Sequence, residues 1–423
     1  MNRSAIERSI EAVWHMESAK IIAKLARMLR DVGLAEEIAQ DAWVAALEQW
    51  TATGLPENPG AWLMATAKNR AIDQLRRRQL AERKSAVMTH EPDLLGSSDV
   101  GEEEADSIAD DLLRLMFVAC HPVLPTEARV TLTLRLLGGL TPPEIARAFL
   151  TSESAIQQRI VRAKRTLSEA RVPFEVPGPA ERAARLGAVL EVIYLIFNEG
   201  YAATSGQDWM RPALCEEALR LGRVLAEIDP ATPEIHGLVA LMELQASRTP
   251  ARVGASGEPI LLMQQNRNLW DQLLIRRGLA ALALAESLGG PLGPYALQGA
   301  IAACHARART AEETDWPRIV ALYDALDEVQ PSPIITLNRA VAVSMAYGPA
   351  TALEIVDALR NESRLRDYHL LPSVRGDLLE QLGRFEEARA EFSHAASLAS
   401  NARERSLLLE RMAACELQAR RIN

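Results

Sequence analysis

Apolar positions along the chain recur at intervals of three and four residues, the period of an amphipathic helix. The clearest stretch puts Ile156, Ile160, Ala163 and Leu167 on one face. Gln157, Gln158, Arg159, Arg162 and Arg165 are left on the other. Just upstream, Thr141 stands where it can cap a short helix, with Pro142 in its first turn and Glu144 completing a capping box. Ser152 can cap the helix that follows, so Leu140 to Ala170 is predicted to form a helix-turn-helix. A second helix is predicted from Asn58 to Arg78, with Leu63, Ala67, Ala71 and Leu75 inward and Lys68, Asn69, Arg76 and Arg77 outward. A third, Leu34 to Leu47, is predicted to bury Leu34, Ile38, Ala42 and Ala45 and to turn Glu36, Glu37, Gln40 and Asp41 to solvent.

Two breaks divide the pattern. Glu91 to Leu113 contains no Lys or Arg and clusters acids at Asp99, Glu102, Glu103, Glu104, Asp106, Asp110 and Asp111, which reads as a solvated tether. It lies between a helical module with a basic end, Arg76, Arg77, Arg78, Arg83 and Lys84, and a second that ends in Arg159, Arg162, Lys164, Arg165 and Arg171. Pro173, Pro177 and Pro179 make the second break, since proline interrupts any helix it falls inside. The expected organisation is a first module over 1–88, an acidic linker over 89–111, a helix-turn-helix module over 112–172, a proline-rich link over 173–180 and a long helical region over 181–423. That last region contains no lysine and shows a period near 34 residues, the spacing of stacked helix pairs. Its best copy runs from Arg375 to Ser400, with Gly376, Ala388, Phe392 and Ala395 at the packing positions and Leu382 to Phe385 as the turn. Ala218, Leu225 and Pro230 fit a second copy, and Tyr323 with Pro331 a third.

Composition narrows the class. With 423 residues, 48% hydrophobic and 4% aromatic, the chain is expected to be an all-α protein of several domains with small core side chains. Met1 to Ile10 is polar and no run of 18 apolar residues occurs, so the expectation is a cytoplasmic protein with no membrane partner. Cys120, Cys215, Cys304 and Cys415 lie too far apart for a C-x-x-C site and are expected to be reduced core thiols, with no metal and no cofactor. The net charge of −9 argues against a surface coated for non-specific DNA binding.

The chemistry therefore rests on two basic faces. Arg grips guanine bidentately and Gln grips adenine, so Gln157, Gln158, Arg159, Arg162 and Arg165 suit a major groove. Lys68, Asn69, Arg76 and Arg77 suit phosphates and base edges, with Trp62 as a stacking group for unpaired bases or, alternatively, a core residue. Each helix alone also fits an ordinary amphipathic helix with a solvated charged face. The acidic helix offers Glu36, Glu37, Gln40 and Asp41 to a basic partner. A one-component regulator with a helical-repeat sensor and a repeat scaffold that binds only proteins are the rival readings. No catalytic grouping or phosphate loop is evident, so an enzyme is not expected.

Ala35 to Trp43 resembles region 2.2 of the sigma-70 family of sigma factors, Trp62-Leu63 through Asn69, Asp73, Arg76 and Arg77 resembles regions 2.3 and 2.4, and Leu124 to Leu167 resembles region 4. Without a region 3 between them, the order is similar to that of the extracytoplasmic-function (ECF) group. Phe197 to Tyr201, Asn268 to Asp271 and Ala302 to Ala308 look like sequence blocks of a subgroup with a C-terminal TPR-like helical extension. The resemblance implies a helical region 2 domain, a region 4 helix-turn-helix and that extension. It implies that Glu36, Glu37, Gln40 and Asp41 face the clamp helices of the largest subunit of core RNA polymerase. Asn69 to Arg78, with the 51–60 loop, would bind and open the −10 element of promoter DNA, and Ser154 to Arg165 would read the −35 element. The acidic linker would run through the polymerase cleft toward the RNA exit path, its charge mimicking nucleic acid. The extension, with more acidic than basic side chains, is expected to regulate or support the preceding modules by packing on them or by binding a regulatory partner protein. Two departures stand out: Leu150 replaces a common glycine in the turn, and Ala155 replaces a common threonine.

Overall fold

The computed structural model describes residues 3–85, 103–149, 151–203, 210–254 and 258–422. Among them the regular structure is helical: α1 (Arg3–Leu29), α2 (Val32–Thr53), α3 (Pro59–Ser85), α4 (Glu103–Ala119), α5 (Thr126–Leu136), α6 (Pro142–Ala148), α7 (Glu153–Glu169), α8 (Pro179–Tyr201), α9 (Pro212–Ile228), α10 (Pro233–Ala246), α11 (Gln272–Ser287), α12 (Pro294–Arg307), α13 (Trp316–Val329), α14 (Pro333–Tyr347), α15 (Pro349–Ala358), α16 (Leu370–Gln381), α17 (Phe385–Leu398) and α18 (Ala402–Ile422). Proline opens many of them, since it supplies a helical φ where its missing N–H costs nothing. None of the described helices is long and apolar enough to cross a membrane.

The chain divides into two compact units, 1–193 and 194–423. In the first, α1 packs on α2 and α3 and also on α4 and α5, so the two predicted modules share one core. Trp14, Ile21, Ile22 and Leu25 of α1 are buried, as are Leu115, Met116 and Phe117 of α4. Trp14 stacks on Trp43 with ring centroids 5.5 Å apart. Gly139 marks how close the modules come: a Cβ there would lie 2.8 Å from the Ser18 hydroxyl oxygen, and its φ is +68°.

The acidic linker expected over 89–111 lies outside the described residues up to position 102, and Leu150 lies outside them as well. From Glu103 onward the segment is helix α4, not tether. Charge pattern alone missed this because Asp111 is buried and held by Arg114 at 2.7 Å and Arg27 at 3.5 Å. The proline-rich link does separate α7 from α8. The first half of α8, however, belongs to the first unit: Arg185 donates to the Phe117 carbonyl at 2.8 Å, and Arg129 pairs with Glu191 at 3.2 Å.

In the second unit each helix packs on the next from α9 to α18, the stacking expected of helix pairs. The copy at 375–400 forms as read: α16 and α17 are joined at Leu382 to Arg384, the Phe392 ring lies against Gly376, and Ala388, Phe392 and Ala395 are fully buried. Close approach also marks the crossing of α10 with α12, where a Cβ on Gly237 would come within 2.6 Å of the Ala296 backbone nitrogen. Backbone cannot yield as a side-chain tip can, so Gly237→Ala is expected to destabilise the second unit by about 2 kcal/mol. Gly187→Ala, with open space around it, should leave stability unchanged or slightly raised. Denaturant unfolding of the two variants checks the contrast, and equal midpoints would show that the α10–α12 approach carries no strain.

Candidate nucleic-acid interface

Helix α7 is built as the sequence indicates. Ser152 accepts the Ala155 N–H at 3.2 Å, and Ile156, Ile160, Ala163 and Leu167 are buried. The preceding α6 is fastened by Glu144, whose carboxylate accepts both the backbone N–H and the hydroxyl of Thr141 at 2.7 Å. Burial pushes the Glu144 carboxyl up, but those two bonds outweigh it and hold it below the usual range. With both caps in place, the exposed face of α7 carries Ser154, Gln157, Gln158, Arg162 and Arg165. Arg162 has no partner among the described residues, while Gln157 reaches Glu153 at 2.8 Å and Arg165 reaches Glu169 at 2.6 Å. Arg159 is half-buried and leans on the Thr131 hydroxyl at 3.4 Å.

Helix α3 starts on an Asn58 cap, whose side chain accepts the Ala61 N–H at 3.0 Å. Leu63, Ala67 and Ala71 are buried as expected, and Leu75 is half-buried. Lys68, Asn69, Asp73, Arg76 and Arg77 are exposed, with Asp73 only 3.9 Å from Arg76. Trp62 packs edge-on against buried Trp50, centroids 5.1 Å apart, so its ring is half in the core and half at the surface. The core reading of Trp62 therefore holds for its inner edge, and its outer edge is exposed.

The acidic helix departs from expectation. Glu37 and Asp41 are exposed on α2, and Asp41 lies 3.6 Å from Arg70 of α3. Glu36 is instead buried, with 2% of its side chain accessible. Its carboxylate receives Arg135 of α5 at 2.5 Å, Lys164 of α7 and the Gln40 amide. Arg135 also donates to the Leu140 carbonyl at 3.0 Å, at the entry to the helix-turn-helix. The buried face of α2 runs through Ala35, Ile38, Ala39, Ala42 and Ala46, so Glu36 sits at the edge of an apolar stripe where α5 and α7 approach, and Leu34 and Ala45 are only half-buried. A carboxylate there is tolerated because cations from two other helices meet it. Arg135 gave no signal in the sequence. The clue in the sequence is that Glu36 stands between Ala35 and Ala39, inside the apolar arc.

Lys164 is thus turned away from the α7 surface and toward Glu36, and these two residues, expected to meet DNA and polymerase respectively, meet each other. Within one compact unit the geometry presents two exposed, cation- and amide-bearing helix faces, α3 and α7, and one exposed acidic pair, Glu37 and Asp41.

Comparison with known proteins accords with this layout. The Sigma-70 region 2 family matches residues 15–81, the Sigma-70, region 4 family matches 114–167, and a family of unknown function (DUF6596) matches 185–286. The uncharacterized protein R00370 of Rhizobium meliloti (strain 1021) is 47% identical over 386 residues, 90% of this chain and 89% of its own. The ECF RNA polymerase sigma factor SigK of Mycobacterium ulcerans (strain Agy99) is 35% identical over 153 residues, 35% of this chain and 78% of its own. The probable ECF RNA polymerase sigma factor SigI of Mycobacterium tuberculosis (strain ATCC 25618 / H37Rv) is 26% identical over 185 residues, 43% of this chain and 62% of its own.

Removing one partner of a buried ion pair leaves the others uncompensated. Glu36→Gln is therefore expected to cost the first unit about 3 kcal/mol. Glu37→Gln, one residue away but exposed, should cost less than about 0.5 kcal/mol. Urea unfolding distinguishes them, and similar losses for both would mean that the Glu36 network does not hold α2 to α5 and α7.

Proposed function

The chain belongs to the extracytoplasmic-function group of the sigma-70 family and is an RNA polymerase sigma factor; on that premise we propose that it reads promoters with two separate helices. Helix α7 enters the major groove of the −35 element with Gln157, Gln158, Arg162 and Arg165, and Ser154 at its start takes a phosphate. Helix α3 holds and opens the −10 element with Lys68, Asn69, Arg76 and Arg77, while the outer edge of Trp62 offers a face to an unpaired base. Glu37 and Asp41 meet a basic helix of core polymerase. The observation that carries this reading is the exposed, capped face of α7 with unpaired Arg162, standing in one unit with the exposed face of α3.

Arg159 and Lys164 join the DNA-reading set only after the unit opens, since both are engaged internally. In this reading Glu36 is a latch, not a polymerase contact. The packed arrangement is the resting form of the free chain, and engagement by polymerase separates the helix-turn-helix from α2. The linker then lies along the polymerase cleft.

The 194–423 unit regulates or supports this activity by binding a partner protein. A cavity of about 670 Å³ within it takes one side-chain amide from each of four helices, Asn198 of α8, Gln245 of α10, Gln298 of α12 and Asn338 of α14. Amides carry both a donor and an acceptor, as a peptide backbone does, so such a wall suits an extended protein segment. Its lining contains a single cation, Arg248, and no carboxylate, while burial lowers the His305 pKa to about 3 and leaves it neutral, a balance that does not suit DNA.

Purified full-length protein with core polymerase and a promoter library should give transcripts that depend on it. Failure to bind core would sink this reading. Arg162→Ala with Arg165→Ala is expected to lower promoter use at least about tenfold with core binding intact. Reversal of charge at Glu37 and Asp41 should weaken core binding instead. Loss of DNA affinity alone in both variants would overturn the assignment of α2. In the same assay Gln245→Ala with Asn338→Ala should alter output without changing which promoters are used, and unchanged output would remove the role given to the amide-lined cavity.

A further inference from the structure

Helices α1 and α7 end in the same unusual way. Arg30 follows α1 with φ +53° and Arg171 follows α7 with φ +49°, and among the described residues they are the two non-glycine positions in the left-handed region. At Arg171 the chain closes with its own N–H on the Ser168 carbonyl at 3.0 Å and the Val172 N–H on the Leu167 carbonyl at 3.1 Å; at Arg30 the N–H reaches the Ala26 carbonyl at 2.8 Å. Glycine is the usual occupant of such a position, because any Cβ there is strained. A cation near a helix C-terminus gains from the helix dipole, and one such arginine would need no other account. Here both line the same cavity.

That cavity, about 760 Å³, lies where the end of α1, the α1–α2 turn, α4 and the end of α7 converge. Five cations reach it: Arg27, Arg30, Arg114, Lys164 and Arg171. Arg27 and Arg114 share the buried Asp111, and Lys164 is held by Glu36. Arg30 and Arg171 are exposed and have no partner among the described residues. Two carboxylates also line it. Asp31 is committed to capping α2, accepting the Leu34 N–H at 3.0 Å, which leaves Glu175 as the opposing charge. Two unpaired guanidiniums from separate helices, backed by three ion-paired cations and facing one carboxylate, suit a compact anion with more than one charged group. Guanidinium forks match phosphate oxygens two at a time. Bound DNA is not the fit, because the exposed faces of α3 and α7 carry that surface and this is a recess between helices.

We propose that this cavity binds a diphosphate-type group, free or as part of a nucleotide, and that the bound anion ties the end of α1 to the end of α7. Such a ligand bridges the first module to the helix-turn-helix across the same gap as the Glu36 network, and so favours the packed form. This goes beyond promoter reading and does not depend on it, since binding is measured without DNA or polymerase.

The test is calorimetry on the full-length protein in magnesium-free buffer, with inorganic pyrophosphate, ATP, and sulfate at matched ionic strength. Pyrophosphate is expected to bind saturably with one site per chain, and sulfate markedly less. Arg30→Gly and Arg171→Gly should each weaken pyrophosphate binding at least about tenfold. Both substitutions relieve left-handed strain, so unfolding temperatures should stay level or rise, which separates lost binding from lost folding. Glu175→Gln should tighten binding. If ATP binds much more tightly than pyrophosphate with the same arginine dependence, the ligand is a nucleotide; if the two match, the phosphates are the whole of it. No saturable binding, an equal response to sulfate, or wild-type affinity in both glycine variants would overturn the proposal.

Discussion

A carboxylate taken out of water must be met by charge, and Glu36 is met by cations from two different helices. The demand is directional and strict: Arg135 on α5 and Lys164 on α7 have to arrive together, and each comes from beyond the segment that joins the two modules. An apolar contact at the same place would tolerate sliding, whereas a buried ion network permits one register or none. Much of the first unit follows from this. Arg135 carries the constraint on to the Leu140 carbonyl, Glu144 then fixes the start of α6, and Ser152 fixes α7. Helix α7, proposed to face DNA, is therefore oriented through a chain of polar contacts that begins on α2, beside the exposed acids Glu37 and Asp41.

What could be read from the sequence was what is local. The helix-turn-helix was legible because caps and a four-three-four apolar spacing act within one or two turns, and Thr141, Glu144, Ser152, Ile156, Ile160, Ala163 and Leu167 all lie where that logic puts them. The helix pair at 375–400 was legible for the same reason, since Gly376 and Phe392 touch across a single turn. Glu36 was misread as solvent-facing because its partners stand about a hundred residues away, and no periodicity encodes a pairing between helices. Residues 103–111 were misread because a run of acids looks solvated until one of them, Asp111, finds two arginines. In both cases the error lay in assigning a charge to water by default, although buried charges with partners have no local signature.

The backbone at the ends of α1 and α7 illustrates a related trade. A glycine at position 30 or 171 would close each helix without strain, and the chain instead holds an arginine in the left-handed region at both. The strain at each position is on the order of 1 kcal/mol. The helix dipole returns only part of that at an exposed site. A sequence that accepts the difference twice, at two caps lining one recess, is using the guanidiniums for something that stability of the free chain does not require.

The packed first unit and the open, promoter-reading form compete for the same residues. Lys164 cannot pair with Glu36 and lie along DNA at once, and α7 cannot leave α2 without uncovering a carboxylate and two cations. Opening therefore carries a cost to which that network contributes, and it is offset only by a partner with higher affinity for the open form. DNA alone gains too little, because Arg162 and the exposed glutamines are accessible already in the packed form. In the proposed reading core polymerase is different: it would engage Glu37 and Asp41 on the outer face of α2 and take up the linker, interactions that the packed form cannot make in full. On that proposal, selectivity for polymerase-bound promoters over free DNA would arise from one buried charge: the exposed face of α7 would read sequence, and the Glu36 network would decide when all of that face is available.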